Sequence, residues 1–180
     1  NGATGNATAN GIQVQSSATA TSTVEVNNST VITSAVKNGA AGTATANGIQ
    51  AGLIVANATN TNTSATNTGA GMADAKGLVA STFPFLNPGQ ATVTGGAHTV
   101  SANSGSGAAR VRAVEASNEV TIQGTALTAT GTRASGGIAS VIGVLSPSGT
   151  VDNTTIIVQA NPGAGSKCSG GVTSSDGSCT

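Results

Sequence analysis

The sequence predicts an all-β fold, a jelly-roll-like β-sandwich preceded by an extended N-terminal strand. Three observations carry that expectation. Apolar and polar residues alternate from Ile12-Gln13-Val14-Gln15 to Val24-Glu25-Val26, a period of two that sorts small apolar groups and hydroxyls or amides onto opposite faces of a strand. The composition favours Thr and Val, which suit strands, and Gly and Asn, which suit turns. In the second half, short strand-like runs recur at the spacing of a sandwich, most of them separated by Gly or Asn turns. The one stretch of helical composition, residues 71–80, is short and bracketed by Gly.

Taken in order, the chain opens with a phrase that it repeats. Residues 1–13 read NGATGNATANGIQ and residues 38–50 read NGAAGTATANGIQ, differing only at Thr4 against Ala41 and Asn6 against Thr43. The first copy runs into the long alternation ending at Val26, which as one strand would far exceed the usual length. Asn27-Asn28-Ser29 is a turn, and Thr30–Lys37 a second strand. The second copy continues through Val55 into the polar run 57–68. With no third copy in evidence, a solenoid is disfavoured, because stacked repeats generally need three or more units. Residues 82–89, which hold Phe83, Phe85, Pro84 and Pro88, read as an ordered connection, with the two aromatics plugging one end of the core. Strands are then expected at 90–94, 98–102, 109–115, 119–123, 126–130, 138–145 and 151–159. Gly95-Gly96 reads as a hairpin and Ser146-Pro147-Ser148-Gly149 as a turn. Residues 138–145 and 156–158 have the densest apolar content and are the expected central strands. These elements divide the chain into an N-terminal arm (1–30), a sandwich (31–160) and a Gly/Ser-rich tail (161–180).

Large apolar side chains make up just under a fifth of the chain, and six basic residues cancel six acidic ones. Ordering a residue costs about 1–2 kcal/mol, and burying a large apolar side chain returns about 1.5–3 kcal/mol. With neither Trp nor Tyr, side-chain burial within one copy looks thin. The deficit points to backbone ladders, cross-links or burial against other copies, the last being favoured here.

Low charge without a basic patch or an aromatic platform argues against nucleic acid, and no apolar run could form a membrane-spanning helix. A chain opening at Asn1 and rich in Ser, Thr and Asn reads as a processed, secreted protein located outside the cell or on its surface. Cys168 and Cys179 then form a disulfide by default, stapling the tail, with a bridge between subunits as the alternative. Sequons place candidate glycosylation at Asn57 and Asn62. Catalysis has little footing, and the chain is not expected to be an enzyme. The single histidine, His98, reads as a strand residue. A secreted hydrolase built on it with Asp74, Asp152 or Asp176 is the third-ranked reading. Glu115 and Glu119, interleaved with Arg110 and Arg112, read as cross-strand charge pairing or a lateral subunit contact before a glycosidase pair. No metal site or cofactor is expected.

The first-ranked reading is assembly. A terminal amphipathic strand can complete the sheet of a neighbouring copy, and head-to-tail donation propagates as a filament. The donated strand would present Ile12, Val14, Ala18, Ala20, Val24 and Val26 to the acceptor groove. In its poverty of aromatics and charge, its Ala/Thr/Gly/Asn/Val bias and its N-terminal alternating strand, the chain resembles pilins assembled by donor-strand exchange and secreted biofilm-fibre subunits. That resemblance implies a structural subunit of an extracellular filament, a homopolymer with contacts to matrix or host surface. The alternative is a β-solenoid adhesin or ice-binding module, with Thr-rich alternation at 18–23 and 57–68 supplying a flat hydroxyl array.

Overall fold

The computed structural model describes residues 4–15, 21–81 and 89–180. Within them the chain forms fifteen strands, and every strand pair is parallel. A jelly roll is built from antiparallel pairs, so the sandwich expectation is overturned while the all-β expectation stands. The protein is a parallel β-solenoid, a stack of coils that each contribute one strand to each of three walls.

The corners explain why the chain coils instead of doubling back. Asn28, Ala58, Gly95, Gly124 and Asn153 all have positive φ, between 47° and 65°. The residue after each is Ser29, Thr59, Gly96, Thr125 or Thr154. Thr59 Oγ1 donates to Val26 O at 2.8 Å, Thr125 Oγ1 to Gln123 O at 3.1 Å and Thr154 Oγ1 to Asp152 O at 2.9 Å. A left-handed residue followed by a hydroxyl bonded back to the chain makes a compact corner. Each corner leads into a different wall, so Gly95-Gly96, expected as a hairpin, joins two sheets.

The first coil comprises β1 (Ala7–Gln13), β2 (Thr23–Asn27) and β3 (Thr30–Lys37), and the second β4 (Ala44–Ala51), β5 (Leu53–Asn57) and β6 (Asn60–Asn67). The third holds β7 (Ala73–Ala80), β8 (Gln90–Thr94) and β9 (Ala97–Ser104), and the fourth β10 (Ala109–Ala116), β11 (Glu119–Gln123) and β12 (Ala126–Arg133). In the fifth, β13 (Ala139–Asp152) runs along two walls before β14 (Thr155–Asn161), and β15 (Gly163–Thr173) lies on β13 as the final rung. Walls one and two form a single ten-stranded sheet curled at β13, in the order β1-β4-β7-β10-β13-β11-β8-β5-β2 with β15 alongside. Wall three is a five-stranded sheet, β14-β12-β9-β6-β3.

The expected long opening strand is two strands, β1 and β2, at opposite ends of the curled sheet. Residues 14–22 separate them in sequence, as residues 81–89 separate β7 from β8, whereas only Gly52 lies between β4 and β5. The repeated phrase stacks on itself, from Ala7 on Ala44 to Gln13 on Gln50. Asn47 Nδ2 donates to Asn10 Oδ1 at 2.9 Å and Gln13 Nε2 to Gln50 Oε1 at 3.3 Å, so identical amides ladder along the wall. Ser146-Pro147-Ser148-Gly149, expected as a turn, lies inside β13, where its register against β15 shifts. Of the two expected central strands, β13 is internal, but β14, which carries 156–158, is the edge of wall three.

The interior is filled by columns of small residues, one side chain per coil. Ile49, Leu78, Val114 and Val144 form one, and Ala44, Ala73, Ala109 and Ala139 another, all with no exposure. A narrow triangular bore needs few large side chains, which answers the thin-core problem without a neighbouring copy. A polar column lines the end of wall three. Lys37, Asn67, Ser104 and Arg133 are buried at equivalent positions, and Lys37 Nζ, Asn67 Nδ2 and Ser104 Oγ donate to the carbonyls of Asn38, Gly42 and Gly71. The corner carbonyls thereby give partners to donors that the side chains bury. Ala58 is the corner residue that bears the steric cost of left-handed backbone without an amide side chain. Ala58→Gly should raise stability by about 0.5–1 kcal/mol, the relief of that strain less the entropy of glycine, read as a higher denaturation midpoint.

Candidate binding surface

The three outer walls differ in charge. Wall one carries Asp74, Lys76, Arg110, Arg112 and Glu115 on neighbouring strands. Arg112 Nη1 bonds both Glu115 oxygens, at 2.8 and 2.9 Å, and Lys76 Nζ lies 3.6 Å from Glu115. Glu115 is therefore paired, but with Arg112 along its own strand, and its cross-strand partner is Lys76. Glu119 lies apart on β11, where Gln90 Nε2 reaches its Oε2 at 3.4 Å. Wall two presents Glu25, Glu119 and Asp152 beside a file formed by Thr92, Thr121 and Thr150.

Wall three is different. Its outward positions are Thr30, Ile32, Ser34 and Val36 on the first coil, then 60, 62, 64 and 66, then 97, 99, 101 and 103. The file continues with 126, 128, 130 and 132, then 155, 157, 159 and 161. All are Thr, Ser, Asn, Gln, Ala, Val or Ile, and none is charged. The row Thr128-Ala129-Thr130-Gly131-Thr132 turns three threonines outward. The two charges in these strands, Lys37 and Arg133, point inward and are buried. A single sequence shows this surface once the five positive-φ corners are aligned, since each is followed by four alternate uncharged positions. The Asn57–Thr68 array expected for a solenoid supplies part of it; residues 18–20 of the other expected array, including Ala18 and Ala20, lie outside the described residues.

The other candidates are dispersed. Ile12 is half-buried in β1 and Val14 exposed just beyond it, whereas Val24 and Val26 line the interior from β2. Phe83 and Phe85 lie outside the described residues. Asn57 donates to Asn27 Oδ1 at 2.8 Å on wall two, and Asn62 is exposed on wall three. Asp74, on wall one, and Asp152 and Asp176, at the C-terminal end, do not gather around His98. That ring is buried in the bore with Nδ1 2.9 Å from Thr61 Oγ1, and its Nε2 has no hydrogen-bond partner. Burial pushes its pKa down from 6.5 to about 4, so it is neutral near pH 7. Among the described residues no three His, Cys, Asp or Glu side chains group to hold a metal ion, and no helix is long and apolar enough to cross a membrane.

The C-terminal end is latched. Cys168 and Cys179 form a disulfide, compatible with an extracellular or otherwise oxidising setting. Ser175 N and Oγ both donate to Asp152 Oδ1 at 2.8 Å. Ser178 donates from its hydroxyl and amide to Asp176, as does Asn153 N. These donors hold the Asp176 carboxyl below its ordinary pKa, the Ser178 hydroxyl foremost. Beside the latch an open cleft of about 370 Å³ is lined by Thr154, Ile156, Lys167 and Asp176 among others.

No family model matches the chain, and neither a curated protein nor a solved structure matches it.

Two stability predictions follow from these sites. His98 has a folded-state pKa below its unfolded value, so unfolding takes up a proton between pH 6.5 and 4. Stability should be fully present above about pH 6.5 and fall by up to about 3 kcal/mol as the pH drops toward 4; denaturant titrations of His98→Leu should lack that component. Reducing the Cys168–Cys179 bridge, or Cys179→Ser with Cys168→Ser, should cost about 3 kcal/mol in the chain-entropy account, measured by the same titrations.

Proposed function

We propose that the chain is an extracellular β-solenoid binding module of the adhesin or ice-binding kind, and that wall three is its binding surface. The observation that carries this reading is the absence of charge from every outward position of that wall across five coils. Neighbouring strands in a sheet lie about 4.8 Å apart, and alternate side chains along a strand about 6.6 Å apart. Short hydroxyls, amides and methyls are therefore set out on a two-dimensional grid. Such a grid suits a target that is itself regular and uncharged, such as a crystalline polysaccharide or ice. Charged side chains would hold water strongly and resist the desolvation that close docking requires, so their confinement to the other two walls favours wall three.

The strand-complementation reading, a filament subunit, stands second. It draws on the open end of the stack, where β1, β2 and β3 each pair on one side only among the described residues. In that reading β1 leaves β4 and the β1 of a neighbour takes its place.

Wild-type protein should adsorb to growing ice or to an insoluble polysaccharide. Thr99→Arg with Thr130→Arg, at the centre of wall three, should reduce adsorption at least about tenfold, since each buried charge costs more than the roughly 1.4 kcal/mol that a factor of ten represents. Arg110→Ala on wall one should leave it unchanged. Failure of the wild type to adsorb to either solid, or full adsorption by the double variant, would overturn the reading. Fibres that sediment from wild-type protein but not from a chain lacking the first coil, residues 1–37, would favour the filament instead.

A further inference from the structure

Among the described residues, β3 is the edge strand of wall three. The carbonyls of Ser29 and Lys37 accept hydrogen bonds from Asn60 N and Thr68 N, so the odd-numbered residues turn their backbone groups toward β6. By the two-residue alternation of a strand, the N–H and C=O groups of Thr30, Ile32, Ser34 and Val36 point away from β6, where no described strand lies.

Edge strands are normally guarded by Pro, bulges, an exposed lysine or a covering segment. The eight residues of β3, TVITSAVK, have no Pro or Gly, and their register against β6 is continuous. The lone charge, Lys37, is turned inward with no exposure. The opposite edge of the same wall is guarded: Ser178 of the disulfide-linked segment accepts from Thr154 N at the start of β14, which ends at Asn161-Pro162. Exposed large apolar side chains also gather at the unguarded edge, with Ile32 73% and Val36 52% exposed.

We propose that two copies join through β3, antiparallel and centred on Ser34, making wall three one continuous ten-stranded sheet across the pair. Ser34 then faces its own symmetry mate, and Ile32 faces Val36 in both directions. Residues 32, 34 and 36 are the ones whose backbone groups face outward, so each facing pair exchanges two bonds, about six in all. The same register sets each exposed Ile32 against an exposed Val36 on the outer surface. A second copy is the fitting occupant because the strand is self-complementary in both respects and brings no charge to the contact. The contact is isologous and closes at two, so it is independent of the wall-three binding reading and distinct from a filament.

Sedimentation equilibrium of the intact chain from micromolar to millimolar concentration should show a monomer–dimer equilibrium. Ser34→Pro removes an edge-facing N–H and no in-chain ladder bond, and should abolish the dimer with the far-ultraviolet circular dichroism unchanged. Ile32→Lys should weaken association about tenfold or more through lost apolar burial, and it decides the matter if Ser34→Pro does not fold. Ile157→Lys, on the far coil of the same wall, should leave association unchanged. A wild-type chain that stays monomeric, dimers that survive both first-coil substitutions, or equal dissociation by Ile157→Lys would overturn the proposal.

Discussion

Main-chain hydrogen bonds between strands about thirty residues apart hold each coil on the next, and they require every coil to present its walls at the same height. That requirement places left-handed backbone at each of the five corners between walls two and three, and it selects Asn or Gly at four of them. Glycines recur along wall one for a related reason. A Cβ on Gly48 would lie 2.5 Å from Gly77 O and 2.6 Å from Thr63 Oγ1, and one on Gly77 2.5 Å from Ala113 O, so close approach between walls depends on their absence. With the ladder fixed, side chains inside the bore need only be small and apolar, and those outside are released for surface chemistry.

Much of the local structure was legible in the sequence, because alternation is a local property. The runs at 30–37, 90–94 and 119–123 coincide with β3, β8 and β11, and the two cysteines pair with each other, the default for a chain read as secreted. The architecture was not legible, because a two-residue corner into another wall reads like a two-residue hairpin. Gly95-Gly96 and Asn27-Asn28-Ser29 satisfy both descriptions. The repeat was also masked by extra residues at 14–22 and 81–89, which alternate the coil length, so only the pair 1–13 and 38–50 stood out. The five corner motifs, from Val26-Asn27-Asn28-Ser29 to Val151-Asp152-Asn153-Thr154, are the more faithful marker, since they track backbone geometry and not side-chain identity.

The surface was half legible. Thr-rich alternation suggested a hydroxyl array, and Asn57–Thr68 contributes β6 to wall three. The other contributors, Thr99, Thr128 and Thr130, are unremarkable in sequence and become neighbours only through the register of β9 and β12. His98 illustrates the reverse: a lone histidine invites a catalytic reading, and the structure places it in the bore against Thr61.

The two ends of the stack are unlike. At one, a covalent loop and a set of carboxylate bonds tie the last residues to β13 and β14; at the other, the first coil rests on a single neighbour. Cooperative units open in order of their local stability, so the tied rungs open only after that loop and those bonds give way. A protease or a pulling force acting from the C-terminal side therefore meets a cross-linked loop before it reaches a wall.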